Sequence, residues 1–325
     1  MWSSARALLG GALAAALAAA SGASIAQDAW PQKPLRIVQG FAAGGNGDTV
    51  ARIVAEPLAR ALGQSVLVEA KTGAGGNIAS EAVARSAPDG YTLVLFTGGH
   101  AVSAGLYRSL PFHPVDDFAM ISTVTFFPFV ISVRPDHPAK SLADLLRLAK
   151  EKPGALNYSS VGVGSTQHLA GELLCAMAGI RMQHVPYRGG TAPIEGLLRG
   201  DVDVLIDTVT FTTGQLKAGR ARALAVTSPA EWPALPGVAP VAETLAGYDV
   251  RSWTGLAAPK GTPAAIIARL NQEVRRGLAQ PEVKGRLEAL GNEVRASTPD
   301  EMRDFVAAQA AKWTRVVRDA GIPQQ

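Results

Sequence analysis

Short apolar segments that favour β-strands alternate with segments of helical periodicity along most of this 325-residue chain. The first repeat occupies residues 35–63, where LRIVQG is followed by the loop FAAGGNGD and then by TVARIVAEPLARALG. Ile37 and Val38 favour a strand, while the apolar residues after the loop recur at helical spacing. Alternation of this kind predicts an α/β fold with mostly parallel sheets flanked by helices.

The alternation occurs in two series, and residues 27–325 exceed what one hydrophobic core usually supports, so two lobes are expected. The second series has its strand segments at 156–161, 182–187, 202–206 and 221–226. Apolar runs at 121–134 and 248–259 are predicted to cross between the lobes. Lobe 1 is therefore predicted to comprise residues 27–130 and 251–325, and lobe 2 residues 131–250. Ligands of such sheets bind beyond the carboxyl ends of the strands, so a cleft between the lobes is expected.

The glycine-rich loop of the first repeat is suited to binding an anion. Gly44, Gly45 and Gly47 have no Cβ, so their backbone is free to adopt positive φ and to let a ligand approach the N–H groups at a helix N-terminus. Asp48 is predicted to be the N-cap of that helix. Two alternatives stay open. The loop could belong to a dinucleotide site, in which Glu69 would be the ribose-binding acid, or it could be a tight turn with no ligand.

Small and hydroxyl-bearing residues also follow the later strands. The segments concerned are Thr97-Gly98-Gly99-His100, Gly162-Val163-Gly164-Ser165-Thr166, Arg188-Gly189-Gly190-Thr191 and Asp207-Thr208. We interpret the first as a loop, and we expect the second to lead into a helix that begins after Ser165. The loops of the two lobes are predicted to face each other across the cleft.

The first 26 residues have the features of an export signal. Arg6 is their only charged residue, residues 7–20 are Ala, Leu and Gly, and Ser24-Ile25-Ala26 supplies small residues at a cleavage site. A membrane-spanning helix is the alternative, but the apolar run is shorter than the roughly 20 residues needed to cross a bilayer. We therefore predict a signal peptide over residues 1–26, cleaved after Ala26. A mature protein outside the cytoplasm meets little NAD or ATP, which weighs against the dinucleotide site.

Composition excludes several other functions. The formal net charge is only +4 and no long basic run is present, so no nucleic-acid partner is predicted. Cys175 is the only cysteine, so no internal disulfide forms; we expect its side chain to be partly exposed. His168 and Glu172 lie four residues apart and could share a metal, but no third ligand accompanies them. Hydrolase, metalloprotease and P-loop motifs are absent. We predict no catalytic residues, no metal and no cofactor.

Several motifs, in order along the chain, resemble those of one family. They are FAAGGxxD, GAGGNIASEAVARSAPDGYTL, LNYSSxGxGSTxHLAGEL, HVPYRGG, GDVDVLID and WxGLxAPKGTP. In this order they are similar to those of the Bug proteins, the receptors of tripartite tricarboxylate transporters. Ala43 departs from the pattern, because the family often has proline there.

This resemblance implies a type II-like periplasmic binding protein with two lobes and a ligand cleft between them. The expected ligand is a small organic carboxylate, and the expected partners are membrane transporter subunits or a sensor kinase. The resemblance also implies a monomer in the periplasm that is not an enzyme. An exported enzyme that acts on a carboxylate in the same cleft is the alternative.

The same resemblance implies a set of ligand-binding residues at the two edges of the cleft. They are Phe41, Ala42, Ala43, Gly44, Gly45, Asp48, Thr97, Gly98, Gly99, His100, Gly164, Ser165, Thr166, His168, Arg188, Gly189 and Asp207. Two of them have a second interpretation: Asp48 as a helix cap only, and His168 as a residue that only orients its loop.

Overall fold

The structure is a computed structural model and describes residues 30–325; the predicted signal peptide lies outside these residues. The strands are β1 (Leu35–Gln39), β2 (Val66–Ala70), β3 (Thr92–Thr97), β4 (Phe118–Val133), β5 (Asn157–Ser160), β6 (Gln183–Pro186), β7 (Val204–Thr208), β8 (Arg222–Val226), β9 (Arg251–Pro259) and β10 (Glu293–Val294). The helices are α1 (Asn46–Leu62), α2 (Asn77–Ala84), α3 (Gly98–Leu106), α4 (Leu142–Glu151), α5 (Thr166–Ala178), α6 (Ala192–Arg199), α7 (Val209–Lys217), α8 (Ala264–Leu278), α9 (Pro281–Ala289) and α10 (Pro299–Asp319).

The strands form one mixed sheet in the order β2-β1-β3-β9-β4-β7-β5-β6, and β8 and β10 also pair with β4. Pairing is parallel among β1, β2 and β3 and among β5, β6 and β7, as strand–helix alternation predicts. The pairs made by β4 and β9, the strands that cross between the two series, are antiparallel. We refer to β1–β3 with α1–α3 as lobe 1 and to β5–β7 with α5–α7 as lobe 2.

Strand β4 joins the two lobes. Its first part pairs with β9 as far as Pro128, and its last part, from Phe129, pairs with β7 and β8. Pro128 has no N–H to donate to a ladder, and it lies where the partner strand changes. The predicted crossings at 121–134 and 248–259 are thus observed as β4 and β9. Residues 33–325 form a single compact unit, so the lobe boundaries at 130 and 250 stay a prediction.

Local sequence accounts for the start of α5 but not for that of α1. The Ser165 hydroxyl caps α5 by accepting the His168 N–H at 3.2 Å, as its position predicts. Helix α1, however, begins at Asn46 with Gly45 as its N-cap, and the predicted N-cap role of Asp48 is wrong. Asp48 lies inside the first turn, where its carboxylate binds Arg52 and the Gly44 N–H instead.

Apolar side chains cover both faces of the sheet, and the core extends over β4 and β9. Trp253 and Phe129 are among its largest fully buried members. Cys175 belongs to this core, contrary to the expected partial exposure, and its burial raises the pKa of the thiol to about 12. Within residues 30–325, no helix combines the length and apolarity needed to span a bilayer.

Candidate ligand-binding site

A cavity that is partly open to solvent lies between the lobes, beside the paired strands β4 and β9. Its lining comes from the loop after β1, from the ends of β3, β5 and β7, from the loop after β6 and from the crossing strands. The lining residues are Phe41, Gly45, Asn46, Gly47, Thr97, Phe127, Val161, Thr166, Gln167, Gly189, Gly190, Asp207, Thr208, Phe211 and Ser252.

Four helices begin at this cavity. The lining includes the N-caps of α1, α3 and α7, which are Gly45, Thr97 and Thr208, and the first residue of α5, Thr166. The first N–H groups of a helix lack partners within the helix, and the helix dipole places partial positive charge there. No lysine or arginine is part of the lining. Any anion held here is therefore stabilised by backbone dipoles rather than by a side-chain cation.

Buried polar side chains hold the loop that precedes α1. The Gln39 amide donates to the Phe41 carbonyl and accepts the Phe41 N–H, both at 2.8 Å. Asp48 Oδ2 accepts the Gly44 N–H at 3.0 Å and the Arg52 Nε–H at 2.9 Å. Burial raises the pKa of the Asp48 carboxyl, but the bonds from Arg52 and Gly44 outweigh it, so the net pKa lies below its usual value. Asp48 thus supports the loop and is not part of the cavity lining.

Asp207 is the only charged residue among those that line the cavity. It is the penultimate residue of β7 and is 1% exposed; its Oδ1 accepts the Thr208 N–H at 2.7 Å. Burial raises the pKa of this carboxyl to about 7, and the hydrogen bond from the Thr208 N–H offsets only part of that rise. Asp207 consequently changes charge near neutral pH.

Glycines bring the two lobes into backbone contact beside the cavity. A Cβ on Gly75, which precedes α2, would lie 2.6 Å from the carbonyl carbon of Gly164 in lobe 2. A Cβ on Gly189 would lie 3.3 Å from the Ala42 nitrogen, and one on Gly190 would lie 3.5 Å from the Ala43 oxygen. Since no side chain separates the loops at these points, the structure represents a closed arrangement of the lobes.

His100 lies in the core of lobe 1, away from the cavity. Its ring stacks on Phe96 with centroids 3.7 Å apart and bonds to Ser80 Oγ and to the Pro114 carbonyl. Burial lowers the pKa of the imidazole to about 4, so the ring is neutral at physiological pH. The sequence placed His100 in a loop, but α3 begins at Gly98 and directs this side chain into the core.

His168 also has protein partners. Its Nδ1 accepts the Gly164 N–H at 3.4 Å, and its ring stacks on His184 with centroids 4.1 Å apart. Burial lowers the pKa of the His168 imidazole to about 4. Of the two interpretations of His168, the one in which it orients the loop agrees with these contacts. His168 Nε2 and Glu172 Oε1 are 3.8 Å apart, but the described residues contain no cluster that could hold a metal.

The structure brings only some of the predicted site residues to the cavity. Those that line it are Phe41, Gly45, Thr97, Thr166, Gly189 and Asp207. Those that do not are Ala42, Ala43, Gly44, Asp48, Gly98, Gly99, His100, Gly164, Ser165, His168 and Arg188. Arg188 instead lines an adjacent outer groove of about 920 Å³ with Phe41 and the loops at 72–75 and 161–163.

The lining residues that sequence reasoning missed are of two kinds. Asn46, Gly47, Gln167, Gly190 and Thr208 are immediate neighbours of predicted residues, so extending each motif by one or two positions would have found them. The others, Phe127, Val161, Phe211 and Ser252, carry no local signal, because apolar or small residues in or beside a strand or helix occur in a core as well as in a cavity wall.

Comparison with known proteins shows the family. The sequence pattern of the family described as "Tripartite tricarboxylate transporter family receptor" matches residues 50–322. The chain is 36% identical to a Pseudomonas protein named for the tcbD–tcbE intergenic region, over 89% of this chain and 87% of that protein. It is 33% identical to the protein BugT of Bordetella pertussis, over 92% of this chain and 93% of BugT.

Solved structures show the fold. The periplasmic binding protein BugD aligns with a TM-score of 0.86 at 35% identity, covering 91% of this chain and all of BugD. A protein of R. palustris solved with adipate aligns with a TM-score of 0.87 at 34% identity, over 91% of this chain and 100% of that one. MatC of Rhodopseudomonas palustris, solved with malate, aligns with a TM-score of 0.85 at 32% identity, over 89% of this chain and 100% of MatC.

These likenesses confirm the predicted two-lobed periplasmic binding protein fold. Together with the motifs at both edges of the cleft, they show that this chain belongs to the tripartite tricarboxylate transporter receptor family, that of the Bug proteins.

Proposed function

We propose that this protein captures a small organic carboxylate in the cavity between its lobes. The observation that carries the proposal is the convergence of four helix N-termini on a cavity whose lining has no cationic side chain. A carboxylate is a compact anion with several acceptor lone pairs, so it suits a cluster of backbone N–H donors. The relatives solved with adipate and malate support this class of ligand.

The protein releases its ligand to membrane transporter subunits or to a sensor kinase, and it acts as a monomer. Membership in a transporter receptor family supports the first partner. The mature chain begins at Gln27 in the periplasm, and the periplasmic relatives support this location. Exported material with an intact mass that starts at Gln27 is the expected result, whereas a mass that includes Met1 would contradict cleavage.

Binding proceeds without turnover of the ligand. The described residues hold no metal-binding cluster, and the two histidines predicted to bind the ligand, His100 and His168, are engaged in stacking and hydrogen bonds. The alternative of an exported enzyme would gain support from a product that forms during incubation with the ligand.

A thermal-shift and calorimetry screen tests the proposal. The mature protein is titrated with succinate, malate, adipate and citrate, with matched neutral amides of the same chain length as controls. A ligand at 100 times its Kd adds about 2.7 kcal/mol of stability. We expect at least one acid, and none of the amides, to stabilise the protein. Mass spectrometry of the recovered ligand should show it unchanged; if no acid in a wider carboxylate panel binds, the proposed function is wrong.

A further inference from the structure

Three buried polar side chains that line the cavity have an atom without a protein partner. They belong to Asn46, Asp207 and Thr208, which are 7%, 1% and 4% exposed. Within residues 30–325, three atoms make no hydrogen bond: Asp207 Oδ2, Thr208 Oγ1 and the side-chain amide atom of Asn46 that is not bonded to Thr210. A buried polar group left unpaired costs about 1–3 kcal/mol, so three such groups around one cavity indicate that a ligand supplies their partners.

Thr210 determines which end of the Asn46 amide is free. Its Oγ1 lies 2.8 Å from the Leu290 carbonyl oxygen and 3.0 Å from the nearer atom of the Asn46 side-chain amide. A hydroxyl has one hydrogen, and a backbone carbonyl only accepts, so Thr210 donates to Leu290 and accepts from Asn46. Since the oxygen and nitrogen of an amide are distinguished by their partners, the NH₂ group of Asn46 faces Thr210. The free end is then the carbonyl oxygen, an acceptor.

Asp207 adds a second acceptor of the same kind. Its Oδ1 is used by the Thr208 N–H, and its Oδ2 is free. The lining holds no arginine or lysine that could neutralise the carboxylate. A simple dicarboxylate beside an ionised Asp207 would add like charge in a buried site, whereas a ligand N–H or O–H would satisfy Oδ2. Thr208 Oγ1 accepts or donates as required.

We propose that the cavity selects a carboxylate that also carries a hydrogen-bond donor, an ammonium or a hydroxyl group, and that Asp207, Asn46 and Thr208 receive this donor. This inference rests on the proposed function and narrows its ligand class. Family membership does not decide whether the ligand carries such a donor, because the relatives were solved with malate, which has a hydroxyl group, and with adipate, which has none.

The first test compares ligands that differ only in the donor. Calorimetry at pH 8, where Asp207 is ionised, measures Kd for succinate, L-malate and L-aspartate and for glutarate, 2-hydroxyglutarate and L-glutamate. We expect a donor-bearing acid to bind at least tenfold more tightly than its unsubstituted parent; the hydroxyl and amino members of each series distinguish the two donors. If succinate and glutarate bind as tightly as their hydroxyl and amino derivatives, this inference is wrong while the proposed function stands. If no acid binds, both fail.

The second test assigns the role to Asp207. In Asp207→Asn the charged acceptor is lost, so the preference for the donor-bearing acid should fall at least tenfold while the Kd of the parent acid stays the same or improves. Asp201→Asn removes an exposed carboxylate that pairs with Arg199 and serves as the control; its preference should equal that of the wild type. An unchanged preference in Asp207→Asn would show that Asp207 does not receive the ligand donor. An equal loss of affinity for every acid would also contradict this role, because it would indicate a protonated Asp207 that donates to the ligand carboxylate. If Asp207→Asn does not fold, the wild-type ligand pairs decide the proposal.

Discussion

At the scale of single residues, the most informative side chain is the buried carboxyl of Asp207. Its position at the end of β7 made it a predicted ligand contact, but the sequence contains nothing that indicates its protonation. Burial without a cationic neighbour in the cavity lining raises its pKa to about 7. Above neutral pH, the ligand-free protein therefore carries a buried Asp207 carboxylate with no cationic side chain in the cavity lining to stabilise it.

This shift predicts how stability depends on pH. An unfolded Asp has a pKa of about 3.9, so between roughly pH 4 and 7 the folded state binds more protons at Asp207 than the unfolded state. The contribution of Asp207 is fully present below pH 4 and is lost as pH rises through 7, by at most about 1.4 kcal/mol per pH unit. We expect the stability of Asp207→Asn, relative to wild type, to rise over this range. Urea unfolding of the ligand-free proteins at several pH values measures it; a constant difference would contradict the shifted pKa, and Asp201→Asn should show no trend.

A substitution at His100 separates a core role from a ligand contact. His100→Leu keeps a buried apolar side chain but leaves Ser80 Oγ and the Pro114 carbonyl without their partner. We expect a loss of about 2–4 kcal/mol in the free energy of unfolding. Ligand affinity, measured by calorimetry at a temperature where the variant is folded, should stay within twofold of wild type. A tenfold loss of affinity in a folded variant would show that the ring acts in binding.

At the scale of elements, the start of α3 shows why a pair of glycines follows β3. Thr97 through His100 reads as a loop in the sequence, yet the helix begins at Gly98 without any break after the strand. A Cβ on Gly99 would lie 2.7 Å from the Gly75 oxygen and 3.2 Å from the Gly164 oxygen, which belongs to lobe 2. The glycines thus allow the first turn of α3, whose N-cap Thr97 lines the cavity, to touch the opposite lobe as well.

Gly99→Ala should therefore hinder closure. Gly99 lies in a helix and lacks a positive φ, so alanine fits its backbone, but the methyl group would press on two backbone oxygens that cannot rotate away. We expect at least a tenfold loss of ligand affinity, measured by calorimetry. Gly214→Ala is the matched control, since a Cβ there meets nothing within 4 Å; it should bind as wild type and gain up to about 1 kcal/mol of stability. Equal affinities in the two variants would refute a closure role for Gly99.

At the scale of the whole molecule, the lobes meet around the cavity through contacts far apart in sequence. The Thr210 hydroxyl of lobe 2 lies 3.0 Å from the side-chain amide of Asn46 in lobe 1. Gly75 and Gly164 touch on another side of the cleft. These contacts narrow access to the cavity, so we expect ligand binding to be coupled to opening and closure of the lobes.

Gly45→Val tests this coupling. Gly45 is free to adopt a positive φ, but its φ is −69°, and only Gly44 in this loop is left-handed, with φ +79°. The reason for glycine at 45 is space: a Cβ would lie 3.1 Å from the Ala42 oxygen and 3.7 Å from the Gly190 nitrogen of lobe 2. We expect valine to lower affinity at least tenfold and to prevent closure.

Small-angle scattering with and without the best ligand measures closure. Wild type should become more compact on binding, and Gly45→Val should not. Gly285→Ala, at a helical position where a Cβ meets nothing within 4 Å, should behave as wild type. Tight binding with normal compaction in Gly45→Val would mean that the loop is only a turn.

Local sequence determined most elements of this protein and their order, with the start of α3 as an exception. The periodicities of β1 and α1, the cap at Ser165 and the crossing strands were all predictable, because each depends on residues within one or two turns of one another. The tertiary structure decided which loop residues reach the cavity. Phe127 and Ser252 line it only because β4 and β9 cross there, and Asp48 leaves it only because Arg52 and Gly44 engage its carboxylate. Burial and long-range contact depend on where distant segments meet, and no local pattern encodes either the pKa of Asp207 or the closeness of Gly75 to Gly164.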